Sequence, residues 1–273
     1  MSEKRNIYIV LGLILGFMIC SESATAIFGC KPVEHGEFDP IGIVESSPSE
    51  SNGCDCTGTL IRGDLVLTAA HCFDCCDDSG CRDGSDCCCN SPPCDEHPKV
   101  KFTLYNIILK NGSNTGNNYS FDGTAYKHPN YNPANENDAA VYDLALIRLN
   151  ENISKKLGVE PISVADSKNE LLGVTIVGFE TSSPPNCILQ KNRCKSNFSP
   201  ALSKYDDPWC AKTKKNRGIC QGDSGAPAII NNQIVAIVSR YPENEPTMQL
   251  LSRTAYDKYD WIQKAIDGII CPP

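Results

Sequence analysis

The sequence predicts an all-β fold with one helix near its carboxyl end. Short apolar or alternating runs recur between turn-rich stretches, a pattern typical of strands and hairpins. These runs cover residues 42–45, 59–68, 100–109, 144–149, 174–179, 228–230 and 234–239. The last two runs flank Asn231 and Asn232, which favour a hairpin turn. One helical pattern near the end places five apolar side chains on a single face: Trp261, Ile262, Ala265, Ile266 and Ile269.

The first 26 residues have the features of a secretory signal peptide. Lys4 and Arg5 precede an almost unbroken apolar run of fourteen residues at positions 7–20, and small residues occupy positions 24–26. Fourteen apolar residues are too few to cross a bilayer core of about 30 Å. We therefore expect cleavage after Ala26 and a secreted, extracellular protein without a membrane segment. An uncleaved signal anchor is the alternative.

The length of residues 27–273 suits one large all-β domain, or two small ones that share an interface. Loss of Cys20 with the signal peptide leaves sixteen of the seventeen cysteines, an even number that allows complete pairing in an oxidising compartment. The net charge of −8 argues against a nucleic-acid partner.

Residues 73–94 form a cysteine-rich segment that directly follows His71 and Cys72. Its seven cysteines, together with Cys54, suffice for four bridges, whose connectivity the sequence does not reveal. A zinc site through Cys72 and Cys75 is disfavoured, because the compartment is oxidising and no second well-spaced pair follows. Calcium is disfavoured because the acidic residues of the segment fit no EF-hand loop: Asp77, Asp78, Asp83 and Asp86. We expect no metal and no cofactor.

Four asparagines have the Asn-X-Ser pattern of a glycan acceptor: Asn111, Asn118, Asn152 and Asn197. An exported chain would meet the glycosylation machinery, so each is a candidate site. Pro200 follows the last motif and makes it the weakest of the four. Chance matches in an asparagine-rich sequence are the alternative explanation.

Three further stretches carry residue types that acyl transfer from a peptide bond requires: a nucleophile, a base and a carboxylate that orients the base. Ser224 lies in Cys-Gln-Gly-Asp-Ser-Gly-Ala-Pro at residues 220–227. His71 lies in Leu-Thr-Ala-Ala-His-Cys at residues 67–72, and Asp143 begins the run Asp-Leu-Ala-Leu-Ile-Arg-Leu. These residues are the candidate catalytic group.

The three stretches resemble the catalytic motifs of the trypsin and chymotrypsin family of serine proteases, and they occur in that family's chain order of His, Asp and Ser. The resemblance continues through residues 56–61, 127–133 and 259–262, and it extends from Ile27 to the closing helix. It implies two six-stranded antiparallel β-barrels with the active site in the cleft between them. Residues 27–273 would then form one protease domain that carries the cysteine-rich segment as an insertion.

The resemblance implies a role for each candidate. Ser224 attacks the scissile carbonyl, His71 takes and returns the proton, and Asp143 fixes the imidazole tautomer. The backbone N–H groups of Gly222 and Ser224 form the oxyanion hole. Asp138 is a competing carboxylate, but it lacks an apolar strand directly after it. We expect the remaining histidines, which lie in polar loops, to be solvated: His35, His97 and His128.

Two disulfide bridges are implied by the same resemblance. One joins Cys56 to Cys72 and braces the loop that carries the histidine, and the other joins Cys194 to Cys210. The family partner of Cys220 is absent from this sequence. Four cysteines are thus left to pair in an unusual way: Cys30, Cys187, Cys220 and Cys271.

The start of the expected mature chain, Ile27-Phe-Gly-Cys, also resembles that of the family. The resemblance implies that the freed ammonium of Ile27 folds inward and pairs with Asp223, because either charge alone would be costly to bury. Most relatives have a basic residue before this isoleucine, whereas this chain has Ala26. Our hypothesis is that signal peptidase itself produces the active terminus, without a zymogen. Cleavage after Ser23 would instead leave a three-residue propeptide.

The expected specificity pocket differs from that of trypsin. By resemblance, Gly218 forms its base, where trypsin-like enzymes carry aspartate, and Ser239 and Tyr241 form its wall. We therefore expect cleavage after small or aliphatic residues rather than basic ones. We also expect the acidic cysteine-rich segment to form a rim over the active-site cleft that favours substrates with basic side chains near it. Expected partners are protein or peptide substrates and protease inhibitors, bound by a monomer. The alternative function is a catalytically weak or inactive homologue that acts as a binding or regulatory protein.

Overall fold

A computed structural model of the chain describes residues 31–34, 36–45, 55–74, 97–109, 111–112, 116–166, 173–181, 189–201, 209–212, 222–239 and 248–269. The strands of its first half are β1 (Lys31–Pro32), β2 (Ile41–Glu45), β3 (Asp55–Arg62), β4 (Leu65–Thr68), β5 (Lys99–Tyr105), β6 (Asn118–Lys127) and β7 (Ala145–Leu149). Those of its second half are β8 (Ser163–Val164), β9 (Val174–Thr181), β10 (Leu189–Ala201), β11 (Trp209–Lys212), β12 (Pro227–Ile230), β13 (Gln233–Val238) and β14 (Met248–Arg253). The helices are α1 (Glu136–Val141), α2 (Ile153–Leu157) and α3 (Asp257–Ile266), with a 3₁₀ turn at Ala70–Phe73.

Six strands of the first half close into an antiparallel barrel in the order β2-β3-β4-β7-β6-β5. Large apolar side chains with no exposed surface fill it, including Leu60, Val66 and Phe102. Strands β2 and β5 pair antiparallel, and a Cβ atom on Gly42 of β2 would lie 2.6 Å from both the Thr103 carbonyl oxygen and the Phe102 ring of β5. Only glycine fits at this position, so the barrel can close around a large aromatic side chain.

The second half also pairs its strands in a ring. Hydrogen bonds link β10 to β11, β11 to β14, β14 to β13, β13 to β12, β12 to β9, and β9 back to β10. This antiparallel ring of six strands agrees with the second barrel that the resemblance implied. Strand β1 extends it beside β10, and β8 pairs with β13 in parallel. The turn at Asn231 and Asn232, both with positive φ, confirms the predicted hairpin.

Helix α3 confirms the predicted carboxyl-terminal helix and is fastened to the first barrel by Arg62. The guanidinium donates hydrogen bonds of 2.9 and 2.7 Å to the carbonyl oxygens of Ala265 and Ile266, the last residues of α3. The carbonyl oxygen of Ala265 also accepts a 3.2 Å hydrogen bond from the backbone N–H of Gly268. The cation adds a side-chain cap that suits the negative end of the helix dipole. Ile269 was predicted to join the apolar face, but it lies beyond the end of the helix with 72% of its surface exposed.

Two short helices, α1 and α2, were not predicted. Each has six residues or fewer, which is too short for an apolar periodicity to show in the sequence. Helix α1 directly precedes Asp143 and packs near β14, where the Ser252 hydroxyl donates a 2.7 Å hydrogen bond to the Ala140 carbonyl oxygen. No helix in the described ranges is long and apolar enough to cross a membrane.

Candidate active site

The segment that carries His71 is held rigidly at the edge of the first barrel. It leaves β4 and forms the 3₁₀ turn Ala70–Phe73, in which Ala70 and Cys72 have no exposed surface. A disulfide bridge joins Cys72 to Cys56 on β3, as the resemblance implied, with the two Cα atoms 6.4 Å apart. The imidazole side chain therefore projects from a braced turn and remains 20% exposed.

Asp143 lies between α1 and β7, and its side chain is completely buried. Oδ1 accepts a 2.8 Å hydrogen bond from the backbone N–H of His71, and Oδ2 lies 2.7 Å from Nδ1 of the same residue. Because a carboxylate only accepts hydrogen bonds, this contact selects the tautomer with a proton on Nδ1. The paired contacts orient the ring and leave Nε2 as its acceptor.

Ser224 completes a continuous line of contacts. Its Oγ lies 2.8 Å from Nε2 of His71, within the range for proton transfer between a hydroxyl and an imidazole. The serine sits in the turn before β12 and is partly exposed, whereas its neighbours Asp223 and Gly225 are buried. Serine, imidazole and carboxylate thus meet from three distant parts of the chain, in the arrangement that activates a serine hydroxyl.

The turn that carries Ser224 packs closely against β3 and β4 because its next residue is Gly225. Its φ is +82°, and a Cβ atom there would lie 2.3 Å from both the Thr57 carbonyl oxygen and Oγ1 of Thr68. Both the conformation and the space therefore require glycine. The next residue, Ala226, has no exposed surface.

Ser239, which the resemblance assigned to the pocket wall, makes a side-chain contact with the carboxylate of Asp143. Its hydroxyl donates a 2.5 Å hydrogen bond to Oδ2 of Asp143, and the residue is 2% exposed. The side chain therefore serves the carboxylate. The sequence carries no signal for this contact, since it depends on where β13 ends relative to Asp143.

Several predicted site residues lie outside the described ranges. They are Ile27, Gly218, Tyr241, most of the cysteine-rich segment, and the cysteines at positions 30, 187, 220 and 271. Asp223, the proposed partner of Ile27, is described and has no exposed surface. Among the described residues, no group of three or more His, Cys, Asp or Glu side chains is arranged to hold a metal ion.

The backbone register of β10 argues against the predicted bridge between Cys194 and Cys210. Cys194 lies opposite Gly178 of β9, whereas Cys210 of β11 lies opposite Ala201, at the far end of β10. Seven residues of strand span roughly 20 Å, and a disulfide needs Cα atoms within about 7 Å. The family resemblance implied this pair, but the length of β10 separates its members.

The prediction that His128 is solvated is wrong. The residue is 3% exposed, with its ring stacked on Tyr142 at a centroid distance of 5.0 Å and in edge contact with Trp261 at 4.8 Å. Burial lowers the pKa of His128 to about 4. His97 is also only partly exposed, with its ring 4.7 Å from that of Tyr126. Aromatic residues remote in sequence cover both rings, which polar flanking residues did not predict.

The candidate glycan acceptors differ in their surroundings. Asn111 and Asn118 are exposed. Asn152 instead caps α2, accepting a 2.9 Å hydrogen bond from the backbone N–H of Lys155 through Oδ1. Asn197 lies within β10.

Comparison with known proteins points to one family. The model of the family described as Trypsin matches residues 27–262. The chain is 28% identical over 272 residues to snake venom serine protease 2C from Craspedocephalus gramineus, covering 94% of this chain and 93% of that protein. It is 29% identical over 280 residues to the venom plasminogen activator Haly-PA from Gloydius brevicauda, covering 96% of each. The solved structure of a scabies mite inactivated protease paralogue is similar in fold, with a TM-score of 0.64 at 19% identity over 90% of this chain and 99% of that one.

Proposed function

Because this chain belongs to the trypsin family of serine endopeptidases, we propose that it is a secreted enzyme that hydrolyses peptide bonds through an acyl-enzyme. The observation that carries this proposal is the line of contacts from Ser224 Oγ through His71 to Asp143, with distances of 2.8 and 2.7 Å. Family membership alone does not guarantee an assembled site. The geometry adds that support, since all three side chains are in place without any rearrangement.

In the first half of the reaction, Ser224 Oγ bonds to the scissile carbonyl carbon while its proton passes to Nε2 of His71. The tetrahedral intermediate then collapses. Its C–N bond breaks, and the imidazolium gives the proton to the leaving amine. Asp143 stabilises the imidazolium. Its second hydrogen bond, accepted by Oδ1 from the His71 backbone N–H, keeps the carboxylate oriented toward the ring.

In the second half, a water molecule takes the place of the amine. His71 accepts a proton from this water as its oxygen attacks the acyl carbon, and then returns the proton to Ser224 Oγ as the ester bond breaks. The backbone N–H groups of Gly222 and Ser224 are the proposed donors to the oxyanion in both halves. Removal of one such donor typically raises the barrier by about 2.7–4 kcal/mol.

Specificity, processing and export are further parts of the proposal. Gly218 and Tyr241 would shape a pocket for small or aliphatic side chains, with protein substrates bound by a monomer. An Ile27 ammonium released by cleavage after Ala26 would pair with Asp223, whose complete burial supports such a partner. Export agrees with the venom relatives, one of which is named a plasminogen activator.

The test is labelling of the purified secreted protein with a fluorophosphonate probe, followed by peptide mapping. We expect one labelled peptide, modified at Ser224, and no labelling of Ser224→Ala. The matched control is Ser163→Ala, which changes an exposed serine of β8 and should label like the parent. A folded parent protein that begins at Ile27 and does not react would refute an active enzyme and favour the inactive homologue.

A further inference from the structure

We infer that Thr57 is a positioning residue that holds the oxyanion loop, residues 222–224, in the shape needed for acyl transfer. This inference rests on the proposed function and extends it to a residue outside the catalytic group. Thr57 is the third residue of β3, next to the bridged Cys56, and has no exposed surface.

Thr57 contacts both ends of the oxyanion loop. Its backbone N–H donates a 2.8 Å hydrogen bond to the carbonyl oxygen of Ser224. Its Oγ1 donates another of 2.8 Å to the carbonyl oxygen of Gly222. The two residues whose carbonyls it holds are also the two whose N–H groups are the proposed oxyanion donors. Thr57 therefore holds, through its side chain and its backbone, both of the residues that carry the proposed oxyanion donors. We call these two hydrogen bonds the clamp.

Gly222 needs such an external restraint. Its φ is +103°, a conformation that glycine adopts freely because it has no Cβ. For the same reason, Gly222 can rotate away from that conformation at little energetic cost. The bond from Thr57 Oγ1 fixes the peptide that follows Gly222 and keeps its carbonyl oxygen directed at β3. This carbonyl group and the Gly222 N–H belong to successive peptide groups joined at one Cα atom, so fixing the first limits how far the second can turn.

The clamp also connects the loop to the segment that carries the histidine. The carbonyl oxygen of Thr57 accepts a 2.8 Å hydrogen bond from Oγ1 of Thr68, the last residue of β4. Cys56, one residue earlier, is bridged to Cys72 beside His71. Two consecutive residues of β3 thus hold the base and the oxyanion loop on one rigid strand, which is the preorganisation that electrostatic catalysis requires.

Thr57→Val is the test, because valine preserves the shape of the buried side chain and removes the hydroxyl. We expect kcat for an amide substrate to fall by about 10- to 100-fold with KM changed less than about threefold, a loss confined to the transition state. Thr57→Ser keeps the donor and should restore kcat to within about threefold of the parent. Active-site titration corrects each rate for the fraction of folded enzyme.

A second readout separates positioning from a merely structural role. A peptide aldehyde forms a tetrahedral adduct whose oxygen lies where the oxyanion develops, so its affinity should fall in Thr57→Val in parallel with kcat/KM. Thr59→Val is the matched control. Thr59 is a buried threonine two residues along β3, and its hydroxyl has no hydrogen-bond partner among the described residues. Its kcat and aldehyde affinity should equal those of the parent.

The outcomes distinguish the two proposals. If the parent labels at Ser224 and Thr57→Val keeps both the parental kcat and the parental aldehyde affinity, the clamp is refuted while the proposed function stands. Equal losses in Thr57→Val and Thr59→Val would also refute it, because any disturbance of β3 would then suffice. A folded parent that fails to label refutes the proposed function and the clamp with it.

Discussion

The hydroxyl of Ser239 and the nitrogen Nδ1 of His71 share one acceptor, Oδ2 of Asp143, at 2.5 and 2.7 Å. The carboxylate is completely buried, and a buried charge is tolerated only when hydrogen bonds replace its lost hydration. Ser239 provides one of these bonds from the second half of the chain. The residue therefore joins the base and carboxylate of the first barrel to strand β13.

Ser239→Ala should weaken both stability and catalysis. Loss of a hydrogen bond to a charged group lowers the free energy of unfolding by about 1.5–3 kcal/mol, and a less firmly held carboxylate should lower kcat by about tenfold. Urea denaturation and steady-state kinetics measure the two effects. Ser252→Ala is the control, since that buried hydroxyl donates to a neutral carbonyl oxygen outside the site. An unchanged kcat in Ser239→Ala would show that the remaining contacts position Asp143 by themselves.

Asp143→Asn should preserve the fold and nearly abolish turnover. The amide can occupy the same space, but its NH₂ group would donate to Nδ1 and impose the tautomer that protonates Nε2. His71 could then no longer accept the Ser224 proton. In the serine protease that defines this mechanism, the same change lowers kcat about 10⁴-fold, and we expect a loss of that order. Stopped assays at saturating substrate, with circular dichroism as the folding control, provide the test. A loss below about tenfold would contradict the assigned role.

The sequence predicted those parts of the site that lie in short contiguous motifs. Ser224, His71 and Asp143 were each recognised from neighbouring residues, and the structure brings them within hydrogen-bonding distance. The contacts of Ser239 with Asp143 and of Thr57 with Gly222 were not predicted, because each joins residues about a hundred positions or more apart. Such contacts depend on the register of strands and on how the two halves of the chain meet.

The errors have the same origin. The pairing of Cys194 with Cys210 was implied by the family resemblance, which contains no information about the length of β10 in this chain. His128 was expected in solvent because its neighbours in sequence are polar, but Trp261 of the distant helix α3 covers it. Local pattern predicts which residues form strands, and it does not predict which remote side chain completes an environment.

Asp55 should reduce stability above pH 6. It lies opposite Glu45 in the pairing of β3 with β2, and burial, followed by the charge of Glu45, raises the pKa of Asp55 to about 6. The folded state therefore binds a proton more tightly than the unfolded state, whose pKa is near 3.8, and stability falls as the pH rises from about 4 to 6. Asp55→Ser should raise the free energy of unfolding at pH 8 by about 1 kcal/mol, a figure reduced for the partial exposure of the group.

Serine is the better replacement at this position because asparagine would create a new glycan acceptor, Asn-Cys-Thr. Denaturant titrations at pH 4 and pH 8 measure the effect, with Asp122→Ser as a control at an exposed position of β6. A gain of the same size at both pH values would mean that charge is not its cause.

His128 should have the opposite pH dependence. Its pKa of about 4 lies below the ordinary value of 6.5 because the ring is buried; Asp257 opposes this shift and Lys258 adds to it. Between pH 6.5 and 4 the unfolded chain binds a proton that the folded chain does not, so stability falls as the pH falls, by about 3 kcal/mol in total. The contribution of Asp55 runs the other way between pH 4 and 6 and hides part of this loss in the parent.

The two contributions are separated in the Asp55→Ser background, where the loss from His128 should appear as a steeper fall in stability on acidification. His128→Phe keeps an aromatic ring against Tyr142 and Trp261 and removes the titrating group. Adding it to Asp55→Ser should flatten the curve of unfolding free energy against pH over this window. Identical slopes with and without His128 would show that other groups govern stability in acid.

Asn152 should act as a helix cap rather than a glycan acceptor. Its Oδ1 accepts from the Lys155 backbone N–H, and its amide packs so tightly on Gly63 that a Cβ there would lie 2.7 Å from Nδ2. A glycan attached to Nδ2 would crowd this contact, whereas Asn111 and Asn118 face solvent. Enzymatic deglycosylation of the protein, which converts modified asparagines to aspartates, should therefore mark Asn111 and Asn118 and leave Asn152 unchanged in the mass spectrum.

The capping role has its own test. Asn152→Ala removes the acceptor for Lys155 and should lower the free energy of unfolding by about 1 kcal/mol, whereas Asn152→Asp keeps an acceptor and should stay close to the parent. Both changes destroy the glycan acceptor motif equally, so a difference between them reports on the cap alone. If both variants lose the same stability, the side chain does not cap α2 as the structure indicates. A glycan on Asn152 would instead contradict the close contact of its Nδ2 with Gly63, because the cap itself uses Oδ1.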